Sequence, residues 1–223
     1  MKASKKKIVL GCLGVMVLLA AICGGGLYWL VYCSPETATI VRNTAATLYW
    51  HKRVNPEDMQ SVRRFCKRFG YNDDYYLECD FGKASGKKRF YLYDLNTGER
   101  LMSSYCMHGK GGGSTAAKPV FSNRPGSNCS SVGLYALCGI GSNSIKNSIK
   151  LDGLDMTNFN ARARGILIHT AGKVTRFHGQ SKYIPLGIES NGCFTIELPC
   201  LLRLMTDYSL HGKHKRILLW AHS

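Results

Sequence analysis

Acidic residues are scarce in this chain of 223 residues: 14 Asp and Glu stand against 30 Lys and Arg, for a formal charge of +16. A surface of that sign is drawn to anionic polymers or lipid head groups, and in principle it also suits nucleic acid. The charges interleave with structured segments instead of forming one long arm, apart from Gly86-Lys-Lys-Arg89 and His211-Gly-Lys-His-Lys-Arg216. A solvated basic surface is therefore the expectation, and no nucleic-acid partner is expected. None of the ten cysteines has C-x-x-C spacing, so a zinc site has little support and no metal is expected. The glycine-rich stretch 109–118 lacks the Gly-Lys-Ser/Thr ending of a phosphate-binding loop, which removes that route to nucleotide chemistry.

Charge is missing altogether from residues 8–32, an apolar run long enough to cross a bilayer as a helix. The cluster Met1-Lys-Ala-Ser-Lys-Lys-Lys7 in front of it should stay cytoplasmic, with Tyr28, Trp29 and Tyr32 at the far interface. No clear small-x-small cleavage site follows, and the run is longer than a usual signal core, so an uncleaved anchor is expected. The rest of the chain then lies outside the cytoplasm, where disulfides are permitted. Seven cysteines fall there: Cys66, Cys79, Cys106, Cys129, Cys138, Cys193 and Cys200. Their pairing is not legible from spacing alone.

With 45% hydrophobic content the chain can hold one core of ordinary size. Three regions are expected: a basic tip and anchor over 1–33, a helical stalk or packing region over 34–70, and a mostly β domain over 71–223. Residues 36–52 carry apolar positions at Ile40, Val41, Ala45, Leu48 and Tyr49 and read as one helix. Asn55-Pro56 opens a second, with Asn55 as cap, that presents Met59, Val62, Phe65, Cys66 and Phe69 and stops at Gly70. From Tyr75 the period changes to two, predicting a meander over 75–81, 89–93 and 100–106. Further strands are predicted at 131–138, 149–151, 166–168 and 217–220, with a helix or turn at 158–164 and a short helix at 198–204. The loop 109–118 is expected to be flexible.

Two short apolar runs each deliver one reactive side chain at an end: Gly165-Ile-Leu-Ile-His169 and Ser190-Asn-Gly-Cys193-Phe-Thr-Ile196. A thiol needs a nearby base or a depressed pKa to become a thiolate at neutral pH, so Cys193 and His169 are the candidate nucleophile and base. Gly192 lets the backbone turn sharply before the sulfur, and the amides of Ser190, Asn191 and Gly192 shape a candidate oxyanion site. The chemistry implied is acyl transfer. His108 is a candidate for lining the site or for hydrogen bonding to the loop around Ser130 and Ser131. His178, in a polar stretch, ranks below His169 as the base.

The chain resembles the murein L,D-transpeptidase family through blocks that occur in order. They include Tyr75-Tyr-Leu-Glu-Cys-Asp80-Phe, Arg89-Phe-Tyr-Leu-Tyr-Asp-Leu-Asn-Thr-Gly98, Met107-His-Gly109, Phe121-Ser-Asn123 and Gly126-Ser-Asn-Cys-Ser-Ser-Val-Gly-Leu-Tyr135. Leu151-Asp-Gly-Leu-Asp155, Asn160-Ala-Arg-Ala-Arg-Gly-Ile-Leu-Ile-His169 and Ser190-Asn-Gly-Cys193 complete the set. The resemblance implies a β-rich catalytic domain, peptidoglycan stem peptides as substrate, Cys193 as nucleophile, His169 as base and no cofactor. It also implies L,D-transpeptidation, with L,D-carboxypeptidase action when water resolves the acyl-enzyme. Three positions depart from the family pattern: Asn191 where His or an aromatic is common, Glu189 where a basic residue is usual, and Thr170 where Gly often follows the histidine. Two alternatives are a sortase-type cysteine transpeptidase, whose Thr-Leu-x-Thr-Cys block is not matched by Ser190-Asn-Gly-Cys193, and a wall-binding module in which Cys193 is structural.

Overall fold

The period-two stretches build a single sheet whose strand order brings sequence-distant segments side by side. The computed structural model describes residues 35–141, 145–185 and 190–223, with side chains from Thr39 onward. The strands are β1 (Tyr75–Asp80), β2 (Phe90–Asp94), β3 (Arg100–Ser104), β4 (Cys106–Met107), β5 (Gly133–Ile140), β6 (Ser148–Gly153), β7 (Leu167–Thr170), β8 (Phe194–Ile196) and β9 (Leu218–His222). Their order is β3-β2-β1-β9-β5-β6-β7-β8-β4.

The first three strands form the expected antiparallel meander. The last strand, β9, enters between β1 and β5, parallel to the former and antiparallel to the latter. The two edge strands, β3 and β4, are consecutive in the chain and separated by Tyr105 alone. Joining opposite edges through one residue requires the sheet to curl, so the domain is β-rich and barrel-like. Alternate residues Leu77, Cys79 and Phe81, Tyr135 and Leu137, Ile149 and Leu151, and Phe194 and Ile196 share one buried core. That is the face-by-face alternation of a pleated strand.

Helices α1 (Pro35–Arg53) and α2 (Met59–Phe69) precede the sheet. The chain divides into two compact units after Ala46. In the described part of the first unit, Ile40 and Val41 are exposed on α1, not packed. The second unit begins at Thr47, well ahead of the expected boundary at 71. The reason is aromatic packing. The Trp50 ring lies 5.0 Å from Phe65, 6.0 Å from Tyr76 and 5.6 Å from Trp220, so α2 and the end of α1 belong with β1 and β9. Leu48, expected to pack, is exposed.

The cap of α2 is Asp58 and not Asn55: the Asp58 carboxylate accepts the Gln60 N–H at 3.0 Å, whereas Asn55 Oδ1 is occupied by the Glu57 N–H at 3.1 Å. Gly70 ends the helix in the left-handed region as expected. Two further helices follow, α3 (Gly172–Thr175) and α4 (Leu198–Asp207), the latter continued by a wider π turn over Tyr208–Gly212. Residues 158–164 take the turn option, not the helix.

No helix among the described residues is long and apolar enough to cross a membrane. The anchor expected at 8–32 lies outside the described residues.

Candidate active site

Strands β7 and β8 run parallel, with His169 beside Thr195 and Ile168 beside Phe194. Cys193 stands one residue before β8. Strand side chains alternate, so Cys193 and Thr195 project to one face, the face that also carries His169. The entry to β7 is set by a turn series in which Asn158 Oδ1 accepts the Asp155 N–H at 2.9 Å and Asn158 Nδ2 donates to the Leu134 carbonyl at 3.0 Å. Asp155, buried, accepts the Leu134 N–H at 2.6 Å and pairs with His51 at 3.0 Å.

The turn before the sulfur depends on Gly192. Its φ is +115°, and a Cβ there would come within 2.5 Å of the Cys129 carbonyl oxygen. Neither condition admits an ordinary L side chain. Hydroxyl groups brace the turn: Ser190 donates to the Cys193 carbonyl at 2.8 Å, and Ser130 donates to the Gly192 carbonyl at 3.2 Å. Ser130 in turn accepts the Gly109 N–H at 3.0 Å, and the Lys110 N–H reaches the Ser190 carbonyl at 3.2 Å. The loop 109–118 is thus tied to the nucleophile turn. Its glycines serve close approach as much as flexibility, because a Cβ on Gly111 would sit 1.8 Å from the Ser127 carbonyl.

The Cys193 thiol is buried and donates to the Gly165 carbonyl at 3.7 Å. Burial pushes its pKa up, while the Leu167 N–H and the positive charge of Arg164 pull it partly back. His169 is also buried, and desolvation lowers its pKa against a hydrogen bond to Thr170. At neutral pH both groups are therefore uncharged. His169 Nδ1 lies 2.9 Å from the Thr170 carbonyl, which can only accept, so Nδ1 carries the proton and Nε2 is the basic nitrogen. Nε2 has the Thr195 hydroxyl 3.4 Å away. The resting partners of the pair are thus Gly165 for the thiol and Thr170 and Thr195 for the imidazole, and the pair is brought to one face by the β7–β8 register.

The other candidates fall in different places. Asn191 is exposed at the turn. Ser131 bonds Tyr135 at 2.7 Å and accepts from Arg164 at 3.3 Å. His178 is exposed, and Glu189 lies outside the described residues. His108 does not face Cys193 as a free ligand, because both ring nitrogens serve the fold: Nδ1 accepts from Arg89 at 3.0 Å and Nε2 donates to the Thr115 carbonyl at 2.9 Å. The expected bond to the Ser130 loop is made instead by its neighbour, Gly109. All seven described cysteines are free thiols, Cys193 among them.

Arg164 and Thr195 were not singled out from the sequence. An arginine inside Ala-Arg-Ala-Arg and a threonine inside an apolar run look like surface and strand residues, and only the strand register and the folding back of 122–131 show what they touch.

Burial and Arg89 hold His108 down to about 4 from 6.5. A depressed histidine contributes stability that is complete above its unfolded pKa and is lost as pH falls through its folded pKa, here between about 6.5 and 4. The contribution is about 3 kcal/mol. His108→Gln is expected to be less stable at pH 7 yet to lose less on acidification than the parent. Urea unfolding at pH 7 and near the lower limit checks this, and an equal loss in both proteins would refute it.

The β-rich, barrel-like sheet thus holds a buried histidine on β7 and a buried thiol one residue before the adjacent parallel strand β8. The family model for the L,D-transpeptidase catalytic domain matches residues 53–217. That is most of the chain, and the chain belongs to this family. A search of curated proteins found no match.

Proposed function

We propose that the chain carries out cysteine-dependent acyl transfer on peptidoglycan stem peptides, with Cys193 as nucleophile and His169 as base. The observation that carries the reading is the tautomer imposed on His169: a carbonyl on Nδ1 leaves a lone pair on Nε2, on the face that carries the one thiol among the described residues that follows a positive-φ glycine. Because thiol and imidazole are both neutral at rest, the proton moves from Sγ to Nε2 as the sulfur attacks the carbonyl of the diamino acid in a donor tetrapeptide. The tetrahedral oxyanion is met by amides of the turn at Ser190, Asn191 and Gly192. Collapse breaks the C–N bond, the imidazolium returns its proton to the departing D-Ala amine, and a thioester remains. An acceptor amine then gives its proton to Nε2, attacks the thioester and expels the thiolate, leaving a cross-link. Water in its place gives carboxypeptidase action. Arg164, whose charge favours the thiolate, lowers the cost of the first step.

The apolar run over 8–32 and the lysines before it support a membrane-anchored protein whose catalytic domain faces the wall from outside the cytoplasm. The family match speaks against the sortase-type alternative. Mass spectrometry tests the reading: membrane-extracted chain incubated with muropeptides should yield a Cys193 thioester and D-Ala, then dimer or tripeptide, and intact mass should retain the N-terminus. Muropeptides left unchanged would remove the acyl-transfer reading, and a mature chain beginning near residue 25 would remove the anchor.

A further inference from the structure

From Arg100 to Leu151 the chain contains no Asp or Glu. This acid-free stretch supplies the entire lining of an open cavity of about 440 Å³, whose walls include Gly112, Ser122, Arg124, Gly126, Ser127 and Cys129. The cavity shares a wall with the nucleophile turn, since the Cys129 carbonyl is the atom that a Cβ on Gly192 would strike. Behind that wall, the Arg164 guanidinium bonds Cys129 O, reaches Ser127 Oγ at 3.4 Å and donates to the Ser122 carbonyl at 2.7 Å. All of these partners are neutral oxygens. On the solvent side stands Arg124, exposed, with its own N–H bonded to Ser122 Oγ at 3.1 Å and no carboxylate paired with its guanidinium among the described residues. A cavity whose lining carries one guanidinium and two hydroxyls, with a second guanidinium behind its wall and no acid, has a positive potential and selects an anion. A guanidinium matches a carboxylate in a bidentate fork.

We propose that this cavity seats a carboxylate of the donor stem peptide, gripped by Arg124, and so determines which donors Cys193 accepts. The proposal rests on the acyl-transfer reading above. A donor of that kind offers two carboxylates near the scissile carbonyl, one on the departing terminal residue and one on the side chain of a diamino acid such as diaminopimelate. Arg124 is a specificity residue: it holds substrate and takes no proton.

The test uses membrane-extracted full-length chain and synthetic tetrapeptide donors with both carboxylates free, the terminal one amidated, the side-chain one amidated, or both amidated. Cys193 thioester formation is followed by intact mass. The parent is expected to prefer a carboxylate over its amide by about ten-fold or more in kcat/KM, the scale of one charge-assisted hydrogen-bond pair. Arg124→Ala should bring that ratio close to one, chiefly through KM. Arg124→Lys should restore part of it, and Arg124→Glu should invert it. Sensitivity to the terminal amide assigns the seat to the departing residue, and sensitivity to the side-chain amide assigns it to the diamino acid. Arg203→Ala, on α4 and outside the cavity lining, should keep the parent ratio. If Arg124→Ala is acylated with the parent's preference, or the parent has no preference, the carboxylate seat is wrong and the acyl-transfer reading stands. If no donor acylates the parent, both fall.

Discussion

Cys193→Ala is expected to abolish acyl-enzyme formation outright, whereas His169→Ala slows it by on the order of 10²–10⁴-fold, the usual worth of a positioned general base. The two losses differ in kind. Without Cys193 there is no sulfur to acylate. Without His169 the thiol can still ionise, but burial holds its pKa above the ordinary value, so little thiolate exists at neutral pH. The residual rate of His169→Ala should therefore climb with pH over the alkaline range, while the parent, whose base is neutral once the lowered histidine pKa is passed, should already be fast near neutrality. His108→Ala and His178→Ala should cost less than His169→Ala, the first because its ring is committed to Arg89 and Thr115 and the second because it is exposed. Mass-detected acylation by a carbapenem, followed over pH in variants checked for folding, reads all of this. A His169→Ala enzyme that matched the parent would show that another group takes the proton.

Gly192→Ala should be nearly as damaging although it removes no chemical group. A methyl at φ +115° costs on the order of 1–3 kcal/mol in backbone strain alone. The approach of 2.5 Å to the Cys129 carbonyl cannot be relieved by turning a side chain, because the opposing atom is backbone. The turn must shift, and with it the thiol and the amides beside it. A displacement of about 1 Å is enough for a loss on the order of 10²-fold. Gly98→Ala is the matching control: its φ of +76° brings strain, but its nearest neighbour is the flexible Met59 side chain at 3.9 Å. It should lower thermal stability modestly and leave acylation near the parent rate. If Gly192→Ala acylates within about threefold of the parent, the turn tolerates the shift and the damage expected from misplacement does not occur.

Much of the architecture could be read along the chain. Period-two alternation announced the meander at 75–104, and Gly70 announced the end of α2, because these signals depend on neighbours a few residues away. Asn55 shows where such reading slips: Asn55 and Asp58 each accept the N–H two residues on, and the helical hydrogen bonds, which begin with the Val62 N–H on the Asp58 carbonyl, decide between them. Leu48 shows another limit, since an apolar side chain on a helix is buried only if something covers that angle of the helix.

The candidates for reaction were visible in the same local way. A cysteine after a glycine and a histidine at the end of an apolar run identify themselves by chemical type, so Cys193 and His169 could be named without coordinates. What local order could not state was the company they keep. Residues 170–189 separate the histidine from Ser190, yet β7 and β8 are hydrogen-bonded neighbours. The carbonyl that selects the imidazole tautomer, the threonine beside Nε2, and the arginine whose charge reaches the sulfur all depend on that pairing and on how 122–131 folds back against Arg164.

By itself, then, the sequence determined the β-rich class and the meander, and it singled out by residue type the candidate nucleophile and base and the glycine before the sulfur, all of which follow from short-range sterics and side-chain chemistry. The tertiary structure alone decided that β9 would separate β1 from β5, that Tyr105 would join the two edges of the sheet, that His108 would be spent on Arg89 and Thr115, and that an acid-free cavity would share a wall with Gly192. Each of these is set by contacts between residues far apart in the chain, whose free energy depends on the whole curled sheet and is written in no local window.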